Sequence, residues 1–182
     1  MFQLSVVDHI RLSFGHVVFG YRAHSRAASR LALRAWQLRV VLVILTGAST
    51  AAALIALNGD RRFQIAAAAM AGAVFALYAL SAAMNLDARA YAHRACAARL
   101  WAVCEKYRSL LAEAHDGLID VPAVTERRDG LQREVQAVYD HGLPADRDAY
   151  QIAGQAISES GEWLSDQALD QFLPRSLRQA KA

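Results

Sequence analysis

The chain has 182 residues, 55% of them hydrophobic and 20% charged, with a formal net charge of +3. That length allows one domain, or one membrane module with a small extension. It carries no phosphate loop, dinucleotide fingerprint, nucleophile elbow or HExxH motif, so the enzyme classes with such signatures are excluded.

The small net charge conceals an asymmetry. Residues 1–112 hold 13 Lys/Arg against 4 Asp/Glu, whereas residues 113–182 hold 7 against 13. A basic half joined to an acidic half implies that the two meet different surroundings, or each other. Arginine supplies 18 of the 20 basic residues, which together with abundant alanine suggests a GC-rich bacterial genome.

In chain order, residues 1–39 read as a basic juxtamembrane amphipathic helix. Residues 1–19 mix polar and apolar types without a clean period and are expected to lie on the membrane surface. From Gly20 the helical signal is better defined, with arginines at 22, 26, 30 and 34 and another at 39. The i, i+4 spacing draws Arg22, Arg26, Arg30 and Arg34 into a slowly turning stripe. Like charges so placed need an anionic counterpart. Lipid headgroups supply one, contributing about 1 kcal/mol per nearby basic residue. The acidic tail or an anionic partner is the alternative. The stripe lacks interleaved aromatics, which argues against direct nucleic-acid binding.

Two uncharged apolar runs follow, Val40–Leu57 and Phe63–Leu86. At about 1.5 Å per residue they extend roughly 27 and 36 Å, against a hydrocarbon core of about 30 Å. A soluble helix of such length keeps a charged or polar face. These runs have none, so they are read as a transmembrane hairpin (40–86) turning at Asn58–Arg62. Arginines precede the first span, and Arg89, Arg94, Arg99, Lys106 and Arg108 follow the second. The positive-inside rule then puts both termini in the cytoplasm, for a multi-pass protein of the bacterial inner membrane.

The second span continues outward. Positions 93, 97, 100, 104, 107, 111 and 114 recur at alternating three and four, a coiled-coil-like seam. Asp120-Val121-Pro122 reads as a helix start, with Asp as N-cap and proline in the first turn. Residues 87–182 are thus expected to be a cytoplasmic helical region with helices at about 87–116, 121–140 and 146–170. The fold class is an all-α membrane protein, a two-helix transmembrane hairpin whose helices extend into a cytoplasmic helical bundle.

No site for a cofactor or metal is expected. The histidines at 9, 16, 24, 93, 115 and 141 are scattered, and Cys96 and Cys104 are eight apart without ligand spacing. Both cysteines read as reduced and structural. The spans say more. Gly47 and Ala51, and Ala68, Gly72 and Ala76, form small-xxx-small series that let helices approach closely. Thr46, Ser49 and Thr50 share a side of the first span, and Tyr78, Ser81 and Asn85 share a side of the second. Those rows serve either hydrogen bonding inside the hairpin or the wall of an aqueous pore. A single hairpin encloses no lumen, so a pore requires a homo-oligomer.

The pattern FxYRAHxRxAxRL at 19–31, the hairpin, WxxxEKYRxLLAE at 101–113, DGLID at 116–120, RRDGLQREVQxVY at 127–139 and YQIAGQAI at 150–157 together resemble the SLATT family. The likeness covers nearly all of residues 15–160. It implies a two-span membrane effector encoded beside nucleotide-signal synthetases, nucleotide-sensing domains or reverse transcriptases in prokaryotic conflict systems. It further implies a pore-forming role in antiviral defence and abortive infection, without catalytic residues. No sensor or synthetase domain is recognisable in these residues, so the implied trigger comes from a separate partner. The alternative is a membrane anchor or scaffold whose cytoplasmic helices bind a partner enzyme or sensor.

Overall fold

A computed structural model describes residues 5–57, 59, 61–140 and 142. Four helices follow in order: α1 (Val6–Ala56), α2 (Arg61–Met84), α3 (Leu86–His115) and α4 (Val121–Asp140). No strand occurs among the described residues. The helix expected at about 146–170 lies outside them. The chain divides into two compact units, one of residues up to Ala28 and from Tyr91 onward, the other Ser29–Ala90.

The first unit has a buried apolar core. On α1, Ile10, Phe14, Val17 and Val18 are buried at three-four spacing, the geometry that brings side chains onto one helix face. On α3 the seam is buried as its period predicts: His93, Ala97, Leu100, Cys104, Tyr107 and Leu111 are all inside. Helix α4 adds Val124, Leu131 and Val138 at intervals of seven, two turns apart. Burying a side chain the size of Leu or Phe contributes about 1.5–3 kcal/mol, and this cluster draws on α1, α3 and α4. Residues 6–19, expected on the membrane surface, open α1 and contribute to this buried core instead. Ile10 and Phe14 are fully buried. Their pattern is obscured in sequence because Arg11 is buried on the same stretch.

Local signals set the ends. Helix α3 closes in a Schellman arrangement, with Leu118 N–H donating to Glu113 O at 3.0 Å and Gly117 N–H to Ala114 O at 3.4 Å. Gly117 supplies the left-handed residue this requires, with φ +67°. Asp120 then caps α4, its Oδ1 accepting from the Ala123 N–H at 3.1 Å. Across the α3–α4 surface, Lys106 donates to both oxygens of Glu134 at 2.8 and 2.6 Å, and Arg127 pairs with Glu113. These exposed pairs contribute at most about 1 kcal/mol each; they orient more than they stabilise.

The second unit is the hairpin. Both its helices are long and apolar enough to cross a membrane. No residue of α2 is buried within the chain. The side chains that one helix withdraws from solvent against the other are Leu42, Leu45, Ser49, Ala52 and Ala56 on α1 and Ala67, Met70, Val74, Leu77 and Ser81 on α2. Each set repeats at three and four, the interval of a helix-contact seam. The other residues from Val40 to Leu57 and from Phe63 to Asn85 are exposed, and Leu86 is buried.

Candidate functional site

The functional candidates lie in the hairpin. At its open end, Tyr78, Ser81 and Asn85 come together. They line one cleft of about 230 Å³ with Leu38 and Arg39 of α1 and Asp87 at the start of α3. Arg39 shapes this cleft. Its Nε donates to the Ala35 carbonyl at 3.4 Å and its Nη2 to Asp87 Oδ1 at 3.2 Å. The side chain therefore runs back along its own helix, away from the apolar run. That is how a long cationic side chain at a span end keeps its charge out of hydrocarbon.

Asn85 marks the joint between α2 and α3. It is the one described non-glycine residue with positive φ, +44°. Asn tolerates that conformation because its short amide can bond locally. The helical ladder still passes through: Asn85 N–H donates to Ser81 O at 3.3 Å and Arg89 N–H to Asn85 O at 3.2 Å. The sequence expectation of a helix running unbroken out of the second span is thus modified by a single left-handed residue.

The row on α1 is arranged differently. Thr50 Oγ1 donates to the Thr46 carbonyl one turn back, at 2.9 Å, so its hydroxyl is satisfied within the helix. Ser49 sits on the seam facing α2, whereas Thr46 and Thr50 face outward. These three do not line the cleft of Tyr78, Ser81 and Asn85.

The small-residue series Gly47–Ala51 and Ala68–Gly72–Ala76 also face outward. A Cβ built at Gly47 or Gly72 meets nothing within 4 Å. Neither glycine is used to bring α1 and α2 together.

The arginine stripe is not uniform. Arg22, Arg26 and Arg30 are half-buried and Arg34 and Arg39 exposed. Burial, and then the neighbouring Arg26, lower the pKa of Arg22 from its usual value. The Arg30 Nη2 is buried with no hydrogen-bond partner among the described residues.

Residues 6–168 match the model of the SMODS and SLOG-associating 2TM effector domain family 4. The chain belongs to this family. It is therefore a two-transmembrane effector domain, and the hairpin described above is its membrane part. Neither a curated protein nor a solved structure matches the chain.

Sequence reasoning missed one pair in this SLATT chain. His24 and His93 are both buried and face each other with Nδ1 atoms 3.0 Å apart and ring centroids 5.1 Å apart. At that distance one nitrogen donates and the other accepts, so the neutral pair holds a single proton between the rings. Burial first, and the charge of His93 second, hold His24 below the usual histidine pKa. The signal available was His93 on the α3 seam and His24 within the FxYRAHxRxAxRL pattern, but 69 residues separate them. No group of three or more His, Cys, Asp or Glu side chains is arranged to hold a metal among the described residues. Cys96 and Cys104 are free buried thiols, and burial pushes the Cys104 thiol up to about 12. Such thiols are poor nucleophiles at neutral pH.

Proposed function

We propose that several copies of this effector associate through the outward small-residue series of their hairpins and permeabilise the membrane. The observation that supports this reading is the placement of Gly47, Ala51, Ala68, Gly72 and Ala76 outside the intramolecular seam. Close approach of helices in lipid is driven by packing of small residues, and here those residues have no packing role within one chain. The polar row of Tyr78, Ser81 and Asn85 then supplies the wall of a water-filled path, and Thr46 and Thr50 its continuation on α1.

The function is antiviral defence by abortive infection. The trigger is a separate nucleotide-signal sensor, synthetase or reverse transcriptase acting on the cytoplasmic helices. The hairpin sits in the bacterial inner membrane with both termini cytoplasmic, as the flanking arginines favour. Catalysis is not part of this reading; the chain acts by assembling.

Induced expression in cells loaded with a membrane-potential dye tests it, with depolarisation expected on triggering. Unchanged potential and growth at high expression, with the cognate partner present, would sink the proposal. Replacing residues 40–86 by an unrelated two-span hairpin should abolish the effect. If function survives that exchange, the chain is an anchor for a partner enzyme.

A further inference from the structure

The cleft at the open end of the hairpin has the chemistry of a zwitterionic ligand site. Its guanidinium and carboxylate, Arg39 and Asp87, touch through one 3.2 Å contact and are each more than three-fifths exposed. Arg39 has its Nη1 and Asp87 its Oδ2 without a hydrogen-bond partner among the described residues, as do the side chains of Tyr78, Ser81 and Asn85. Five polar side chains thus surround one volume with most of their capacity unspent.

The location narrows the ligand. Arg39 directly precedes the first uncharged run, and Asp87 directly follows the second. The cleft therefore lies where both spans leave the bilayer, on the side of the chain termini. From Asn85 to Tyr78 it extends roughly 10 Å along the helix, at about 1.5 Å per residue, from the headgroup region into the upper acyl region. Polar groups at that depth carry a free-energy cost if nothing satisfies them. At about 230 Å³ the cleft is smaller than the roughly 300–1,000 Å³ typical of drug-sized ligand sites, a size suited to a headgroup.

We infer that this cleft binds the headgroup of a phospholipid carrying a primary ammonium beside its phosphate, phosphatidylethanolamine. The phosphate takes the free edge of the Arg39 guanidinium, which matches phosphate oxygens in a planar fork. The ammonium donates to Asp87, and the Tyr78 and Ser81 hydroxyls and the Asn85 amide meet the glycerol and ester oxygens below. A trimethylammonium has no N–H to offer Asp87. An anionic headgroup without an amine places its charge against that carboxylate. The site thus discriminates by charge pattern, not by net charge. This inference rests on the hairpin spanning a membrane and describes the state in which Tyr78, Ser81 and Asn85 do not line water; its readout is lipid retention, not depolarisation.

Native mass spectrometry of the full chain in detergent, titrated with phosphatidylethanolamine, phosphatidylcholine and phosphatidylglycerol of identical acyl chains, tests it. Phosphatidylethanolamine should be retained about tenfold better than either competitor, the value of one charge-assisted hydrogen bond. Asp87→Asn should remove that preference while leaving weak phosphate-dependent retention, and Arg39→Gln should remove retention of all three. Ser81→Leu fills the cleft without changing charge and should lower retention of phosphatidylethanolamine in a chain whose helix content by circular dichroism is unchanged. Equal retention of the three lipids by the unaltered chain would overturn the inference, as would a preference that survives Asp87→Asn and Ser81→Leu. Soluble phosphoethanolamine bound as well as the diacyl lipid would overturn the assignment of a membrane lipid as the occupant.

Discussion

His24 Nδ1 on α1 and His93 Nδ1 on α3 lie 3.0 Å apart inside the first unit. The pair makes helix packing sensitive to acid. The pKa of His24 lies below its unfolded value, so the unfolded chain binds more protons in that window. The stability conferred by the neutral pair is fully present above about pH 6.5, the unfolded value. It is lost as pH falls from there through the folded value. Thermal unfolding of the detergent-solubilised protein should show a lower Tm at pH 5.5 than at pH 7.5. His24→Gln, which keeps a polar partner for His93, should flatten that difference; an equal slope in both proteins would refute the assignment.

Leu100 on α3 and Phe14 on α1 belong to the buried cluster of the first unit, both fully buried. Leu100→Ala is expected to cost about 2–5 kcal/mol and Phe14→Ala about 3–5 kcal/mol. Urea titration followed by tryptophan fluorescence reads this, because Trp101 packs beside Tyr21 at a centroid distance of 5.2 Å. Membrane insertion of the hairpin should be unaffected in both variants.

Gly47 and Gly72 have open space where a side chain would stand. Gly47→Leu and Gly72→Leu should therefore leave the folded hairpin intact, while reducing crosslinked oligomer and depolarisation about tenfold, as a loss of close helix packing worth about 1.4 kcal/mol would do. Wild-type levels of both readouts in properly inserted variants would remove the support for assembly through these faces.

The polar rows should respond unequally. The Thr50 hydroxyl is already bonded to the Thr46 carbonyl, whereas the Ser81 side chain is not bonded within the described chain. Ser81→Leu and Asn85→Leu should weaken dye-reported depolarisation more than Thr50→Leu does. The pore wall is assigned wrongly if all three remain fully active and inserted.

Asn85 holds a positive φ between α2 and α3. Asn85→Gly should be tolerated, whereas Asn85→Val should cost about 1–2 kcal/mol because the branched Cβ crowds the carbonyl in that conformation. Comparing their midpoints in denaturant checks both expectations.

Much of this was written in the linear pattern, for reasons that can be named. Absence of charge over Val40–Leu57 and Phe63–Leu86 is enough to place two spans, since no neighbour has to be known for a helix to face lipid. The three-four recurrence from His93 to Leu111 locates the buried face of α3, and Asp120-Val121-Pro122 locates the start of α4, because both are properties of a few adjacent residues. Tertiary structure alone decided which residues meet. The first turns of α1 become core only because α3 and α4 cover Ile10 and Phe14. His24 finds His93 across 69 residues, and Arg39 finds Asp87 across 48. It also decided which side of each span is spent: the seam takes Ser49 and Ser81, and the glycine rows are left outward. Periodicity states that a face exists, but the partner that covers it is set by the path of the chain through space.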